Sequence, residues 1–267
     1  MRSVETGTDR LLIDISDGVA TLTFNNPTKR NALSLDMRRA LPHVLHVLQD
    51  DDDVRVVVLT GAGDKAFVSG ADISEFAEQR TSVADRADFD ILSAAIGKAW
   101  QALEKPVIAM IRGYCMGGGL LTALQADIRI ASDDSRFGVP AARLGLGYGA
   151  DGVEALVGAV GSAWAAEILF SARQLSADEA LRSGLINRVV PAAELRPATL
   201  ELARAITANA PLTVAACKVA IREMQHPPDR RDLMRVQSMV AACFESDDYR
   251  EGQRAFAEKR VPRFEGH

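Results

Sequence analysis

The sequence has little of what marks secreted, membrane-spanning and nucleic-acid-binding proteins. Three cysteines in 267 residues, with no CxxC spacing, argue against a disulfide framework and favour a cytoplasmic location. No apolar run reaches the about 18 residues of a membrane helix, and the N-terminal residues show no signal pattern. The net charge is −5 and no long basic run occurs, so neither nucleic acid nor a membrane surface is an expected partner.

The sequence that remains predicts an α/β protein. Apolar residues make up 48 % of it, enough for a sizeable core at this length. Short apolar strands, among them "VRVVVLTGAG", "PVIAMIRG" and "ADIRIAS", alternate with helical stretches, which indicates a layered core. From about residue 196 nearly everything has the pattern of amphipathic helix. We therefore expect a core at residues 1–195 and a helical C-terminal part at 196–267.

Two weaker motifs need an explanation before the stronger ones. His43 and His46 are three residues apart on a predicted helix, but no third ligand is evident, so a solvated helix face is expected and no metal site. The segment Gly147–Gly152 matches GxGxxG. A dinucleotide site also needs a preceding strand and an acidic residue about 20 positions later, and the sequence supports neither.

Two glycine-containing loops carry the stronger signal. "KAFVSGADISEF" (Lys65–Phe76) places Gly70 at a sharp turn, which frees the N–H of Ala71 to face a ligand. "MGGGLLTAL" (Met116–Leu124) follows a buried strand and opens a helix, whose first N–H groups have no partner within the helix. Two such donors facing one point form an oxyanion hole, which stabilises a carbonyl as it becomes an enolate or a tetrahedral oxyanion.

These loops belong to a set of motifs that resembles the crotonase superfamily, also called the enoyl-CoA hydratase/isomerase family. The other matching segments are "NNPTKRNALS", "IRGYCMGGGLLTALQADIRIAS", "SRFGVPAARLGL", "SADEALRSGLINRVVP" and "EGQRAFAEKRVPRF". They occur in the family's order and cover nearly the whole chain. The resemblance implies a spiral of ββα units with a helical C-terminal trimerisation region. It also implies a homotrimer or homohexamer and an acyl-CoA substrate, with coenzyme A as part of the substrate and no separate cofactor.

The resemblance also implies roles for individual residues. The oxyanion hole would consist of the backbone N–H groups of Ala71 and Gly118. Phe256 and Lys259 would close over the nucleotide end, often across a subunit boundary. The rest of the coenzyme A would lie on two segments, with the pantetheine and phosphates at Lys29, Arg30 and Ala32 and the adenine at Ser69, Asp72 and Ile73.

The sequence departs from the family at the two glutamates that activate water in typical hydratases. Leu121 and Ala141 occupy those positions, and neither side chain can transfer a proton. Tyr114, Tyr148 and Asp151 are the candidates to act on the acyl group instead. Asp151 is the first choice, because some isomerases of the family carry a functional aspartate near this position, although it also suits a helix cap.

Three functions therefore remain open. Double-bond isomerisation is expected first, because one carboxylate can remove a proton and return it elsewhere. Enoyl-CoA hydration and non-catalytic binding of acyl-CoA are the alternatives.

Overall fold

Two β-sheets organise the fold. The computed structural model describes residues 2–72 and 83–267, with side chains described from residue 88 onward in the second range. The larger sheet has the strand order β1-β2-β3-β4-β6-β8-β11 and the smaller one β10-β9-β7-β5. The strands are β1 (Arg2–Val4), β2 (Leu11–Ser16), β3 (Val19–Phe24), β4 (Val56–Gly61), β5 (Ala66–Val68), β6 (Val107–Ile111), β7 (Tyr114–Met116), β8 (Ile128–Ser132), β9 (Arg136–Gly138), β10 (Leu175–Ser176) and β11 (Arg188–Val190).

Helices follow the strands in a regular order. Those in the described ranges are α1 (Leu35–Asp50), α2 (Val83–Ala102), α3 (Gly118–Leu124), α4 (Ala150–Ser171), α5 (Ala177–Arg182), α6 (Leu195–Thr207), α7 (Pro211–Gln225), α8 (Leu233–Glu245) and α9 (Asp247–Glu258). Strands β4, β6 and β8 lie in the larger sheet, each is followed by a strand of the smaller sheet, and a helix comes next. This repetition confirms the α/β fold of ββα units.

Local sequence explains the sheets. Leu11, Ile13 and Ile15 alternate with more exposed residues in β2, so one face of this antiparallel strand is buried. The first four residues of β4, from Val56 to Leu59, are all buried, because parallel neighbours and packed layers enclose that strand on both faces.

Two helix signals in the sequence have outcomes of their own. The capping box of Ser176 and Glu179 forms as the sequence predicts. The prediction that Ser34 caps α1 is right only in position, because its hydroxyl donates to the Asp36 carboxylate and makes no cap hydrogen bond. Helix α1 also runs past Pro42 without a break.

Helices cover both faces of the larger sheet. On one face, Leu195 and Ala203 of α6 pack on a cluster that includes Val56, Ile108 and Ile130. The other face packs on α1 and α2, through the buried side chains of Met37, Leu41, Leu45, Trp100 and Leu103. Helix α6 thus contributes to the core, and the division of the chain at residue 195 stays a prediction.

The C-terminal helices expose apolar side chains. Helix α8 contains no buried residue, and Met234 and Phe244 are 82 % and 61 % exposed. Phe256 on α9 is 88 % exposed. An isolated soluble chain rarely leaves so many large apolar groups together in water, so this part has the character of an interaction surface.

By length and composition alone, one helix in the described ranges could cross a membrane. This is α4, and 22 % of its most apolar window is buried inside the protein. Its backbone is not helical at Gly161, where φ is 73° and ψ is 166°. The break leaves two pieces that are each far shorter than the about 20 residues a membrane helix needs.

Candidate active site

The candidate site lies where three neighbouring strands of the smaller sheet end. Strands β5, β7 and β9 are parallel and adjacent, so their carboxyl ends lie side by side. Ala71 follows β5 after a short loop, and Gly118 begins α3 directly after β7. Ala141 follows β9 on a 3₁₀-helix, Pro140–Leu144. The sheet therefore brings together three segments that are distant in the sequence.

The two predicted oxyanion donors are neighbours. A Cβ atom added to Gly118 would lie 3.6 Å from the backbone nitrogen of Ala71. The N–H of Leu33 donates to Gly70 O at 2.8 Å and that of Asp72 donates to Leu33 O at 3.0 Å, so the strand-like backbone turns the intervening N–H of Ala71 to the opposite side. Gly118 is the first residue of α3, and its N–H has no partner within that helix.

Backbone crowding explains the glycines around the hole. A Cβ atom on Gly119 would lie 1.9 Å from Val68 O, so only glycine lets α3 approach β5 this closely. Gly117 has a φ of 51° and Gly70 a φ of 120°, both in the range that favours glycine. In contrast, the position beside Gly118 has room for a ligand atom, which is what an oxyanion hole requires.

Comparison with known proteins agrees with this geometry. Residues 14–267 match the family described as enoyl-CoA hydratase/isomerase. The chain is 40 % identical over 253 residues to the short-chain-enoyl-CoA hydratase of Clostridium acetobutylicum, covering 94 % of this chain and 96 % of that one. It is 35 % identical over 257 residues to the crotonyl-CoA hydratase of Syntrophomonas wolfei, covering 96 % and 98 %.

A solved structure shows the same fold. It is an enoyl-CoA hydratase/carnithine racemase from Magnetospirillum magneticum, with a TM-score of 0.89, 33 % identity and 96 % coverage of both chains. The chain belongs to the enoyl-CoA hydratase/isomerase family. It is therefore an enzyme of a family that acts on acyl-CoA thioesters, and the crotonase resemblance in the sequence is confirmed.

The wall beside the oxyanion hole of this family member is apolar. Leu121 follows Gly118 by three residues on α3, which puts both on one face of the helix. Its two δ carbons would lie 3.2 and 3.3 Å from a Cβ atom on Gly152, in α4. Ala141 is half-buried on the neighbouring 3₁₀-helix. Neither side chain has an atom that holds a water molecule or transfers a proton.

The two segments expected to bind coenzyme A meet in the structure. The Ser69 N–H donates to Arg30 O at 3.1 Å, and the Ser69 hydroxyl donates to Lys29 O at 3.2 Å. The Lys29 ammonium forms an ion pair of 2.7 Å with the buried Asp72 carboxylate. Ala32 is buried between these segments and donates its N–H to Lys29 O. The Lys29–Asp72 pair fixes one segment to the other, and contact of either residue with coenzyme A stays a prediction.

The remaining predicted binding residues lie in different surroundings. The Arg30 guanidinium lies over the Tyr114 ring, 5.1 Å from its centroid, which places both at the Lys29 segment. Ile73 lies outside the described residues. Phe256 and Lys259 lie at the end of α9, where Lys259 is the C-cap with a φ of 54°. Their contact with the nucleotide end stays a prediction.

Asp151 differs from its expected surroundings in two ways. We expected an apolar pocket around it, but its side chain is exposed in the single chain. A helix cap was the alternative, but α4 begins earlier than expected: Gly149 is the N-cap, and Asp151 is the second helical residue. Both expectations are wrong because the helix extends toward the glycine turn. A carboxylate in this first turn is still stabilised by the positive end of the helix dipole.

The two weaker motifs form no site of the kinds considered. Gly147–Gly152 follows the 3₁₀-helix Pro140–Leu144 where a dinucleotide fold has a strand, so the Rossmann interpretation lacks its context. His43 and His46 are exposed on α1. Within residues 2–72 and 83–267, no group of three or more metal-binding side chains is placed to hold an ion.

Sequence analysis missed a positioning residue. Asn31 is fully buried with a φ of 57°, and its side-chain amide donates to Ala62 O at 2.9 Å and to Ala66 O at 2.7 Å. Its amide oxygen accepts the N–H of Asn26 at 3.0 Å. These bonds fix the Lys29–Ala32 segment to the start of β5. The sequence signal was an asparagine between two cationic residues and an apolar run, typical of a left-handed turn.

Proposed function

We propose that this chain binds an acyl-CoA thioester with its carbonyl oxygen between the N–H groups of Ala71 and Gly118, and stabilises the enolate formed there. The adjacency of the two backbone nitrogens is the observation that carries the proposal. Donors of this kind act on the charge that develops in the transition state, and each is worth a factor of about 10² to 10³ in rate. Family membership supports the thioester as substrate.

Double-bond isomerisation is the reaction we propose for this enolate. Asp151 removes a proton from C2 of a 3-enoyl thioester and delivers it to C4, so the double bond moves into conjugation and no water is consumed. One carboxylate is enough for both transfers. Asp151 precedes Gly152, the point at which α4 meets Leu121, and it is the sole acidic residue between Ala141 and Gly152. These placements support a position close to the acyl group.

Hydration of a 2-enoyl thioester is the second candidate. The names of the Clostridium acetobutylicum and Syntrophomonas wolfei relatives favour it. The residues of this chain argue against it, because Leu121 and Ala141 supply no group to activate water. Under this candidate another side chain has to take that role.

The Asp151→Asn variant tests the proposal. Asparagine keeps the size of the side chain but does not accept a proton, so isomerisation of a 3-enoyl-CoA is expected to fall by about 10² to 10⁴. The dissociation constant for butyryl-CoA should remain nearly unchanged. Glu154→Gln is the matched control, because Glu154 is an exposed carboxylate one turn further along α4.

Four outcomes separate the candidates. Loss of isomerisation in Asp151→Asn with normal activity in Glu154→Gln supports Asp151 as the base. Unchanged turnover in Asp151→Asn removes it from that role. Rapid hydration of a 2-enoyl-CoA by the wild-type protein favours the hydratase candidate. Tight binding of the thioesters without any turnover identifies an acyl-CoA-binding protein.

We also propose a homotrimer or homohexamer, supported by the exposed Met234, Phe244 and Phe256 of the C-terminal helices. Sedimentation velocity tests this, and a monomer at micromolar concentration would refute it. We propose a cytoplasmic location, supported by three unpaired cysteines. Beyond the coenzyme A of its substrate we propose no cofactor, because the backbone donors supply the electrophile. Unchanged turnover after exhaustive dialysis against a chelator is the expected result.

A further inference from the structure

Tyr148 has a buried hydroxyl group that the fold does not satisfy. Its oxygen is inaccessible to solvent and has no hydrogen-bond partner among the described residues. Burial raises the pKa of this phenol, so the group is neutral at physiological pH and acts as a donor. An unpaired buried hydroxyl costs about 1–3 kcal/mol, and an apolar phenylalanine ring of the same shape avoids that cost. The hydroxyl therefore needs an explanation other than packing.

The ring of Tyr148 lies beside the oxyanion hole. A Cβ atom on Gly152 would lie 2.9 Å from Cε1 of Tyr148 and 3.2 Å from a δ carbon of Leu121, so the two side chains are neighbours there. Leu121 is one helical turn from Gly118. Tyr148 also packs at the edge of the core cluster that includes Leu33 and Ala141. The ring thus adjoins the wall that replaces the two glutamates.

The loop that carries Tyr148 has room to adjust. Gly145, Gly147 and Gly149 are exposed, and a Cβ atom on any of them would have no neighbour within 4 Å. The loop is therefore not locked by side-chain packing on either side of the tyrosine. A small shift of Tyr148 brings its hydroxyl to a bound acyl group without repacking the core.

We infer that the Tyr148 hydroxyl donates a hydrogen bond to an oxygen on the acyl chain beyond the thioester carbonyl. The preferred substrates are then acyl-CoA thioesters whose acyl group carries a hydroxyl, oxo or carboxyl oxygen. This inference rests on the proposed function, because it assumes that the acyl group lies along Leu121. A hydrocarbon chain leaves the hydroxyl unpaired, and a site with an unpaired donor discriminates against such a ligand.

The test compares two ligands of equal chain length, butyryl-CoA and 3-hydroxybutyryl-CoA, each enantiomer separately. Their dissociation constants are measured by titration calorimetry for wild type and Tyr148→Phe. One hydrogen bond between neutral groups predicts that wild type prefers one enantiomer of the hydroxylated thioester by about two- to tenfold. Tyr148→Phe should lose this preference, keep its affinity for butyryl-CoA and unfold at no lower temperature than wild type.

Tyr249→Phe is the matched control, since Tyr249 is exposed on α9 and its ring packs on Phe244. It should keep the wild-type preference. A wild type without preference overturns the inference, as does a Tyr148→Phe protein that retains the preference; in both cases the proposed function stands if butyryl-CoA binds. If neither thioester binds to the wild type, the inference and the proposed function fall together.

Discussion

Gly118→Ala perturbs the oxyanion hole without disturbing the fold around it. The new Cβ atom would lie 3.6 Å from Ala71 N and 3.8 Å from Gly70 C and Leu33 Cδ1, which are ordinary contact distances. Gly118 is the first residue of α3, where alanine is a better helix former than glycine by up to about 1 kcal/mol. The variant should therefore fold with at least the stability of the wild type.

The same methyl group obstructs the ligand. An oxyanion must lie about 2.7–3.1 Å from its donors. The added carbon stands beside Ala71 N, where the oxygen has to sit, and so pushes it away from at least one of the two N–H groups. Loss of one donor costs a factor of about 10² to 10³ in rate. We expect a decrease of that size in enolate formation.

Exchange of the C2 hydrogens of butyryl-CoA in deuterium oxide, followed by NMR, measures enolate formation whatever product the enzyme makes. Gly158→Ala is the matched control, because a Cβ atom there would have no neighbour within 4 Å. It should exchange at the wild-type rate. A Gly118→Ala protein that folds normally and exchanges like wild type would show that Gly118 is not an oxyanion donor.

The other predictions concern the acyl wall and local stability. Introducing both Leu121→Glu and Ala141→Glu should raise hydration of a short 2-enoyl-CoA above the wild-type rate, measured by absorbance; no increase would show that these positions do not face the substrate. Ser176→Ala should lower the free energy of unfolding by about 1 kcal/mol through loss of the capping box, as measured by urea denaturation, and an unchanged midpoint would contradict it. Hydrogen bonds from Arg260 lower the pKa of Glu251, so its stabilisation is present above the ordinary value of 4.5 and is lost as the pH falls through the lower folded value. Glu251→Gln should thus be less stable than wild type at pH 7 and differ less from it as the pH falls below 4.5; a constant difference would refute the linkage.

Local sequence signals predict much of this fold because they correspond directly to backbone physics. The turn at Asp17-Gly18 joins β2 and β3 as expected, since both residues adopt positive φ there. Short apolar runs become parallel strands that are buried on both faces. The assignment of β5, β7 and β9 to a separate small sheet is not readable in the same way, because pairing between distant segments depends on the whole topology.

The site shows the same division. The oxyanion donors Ala71 and Gly118 were predictable, because glycine turns and helix starts expose N–H groups wherever they occur. The exposure of Asp151 was not, since it depends on the start of α4 at Ala150, and helix boundaries are weakly encoded. The unpaired hydroxyl of Tyr148 was equally hidden, because only the three-dimensional packing shows which groups lack partners.

The most direct test of the oxyanion hole is the infrared spectrum of a bound thioester. Butyryl-CoA labelled with carbon-13 at its carbonyl is added to the wild-type enzyme, and the isotope difference spectrum isolates the carbonyl stretch. If the N–H groups of Ala71 and Gly118 both donate to this oxygen, the band shifts to lower frequency on binding, and Gly118→Ala reverses most of the shift. A bound thioester whose carbonyl band stays at the frequency found in water would contradict the account.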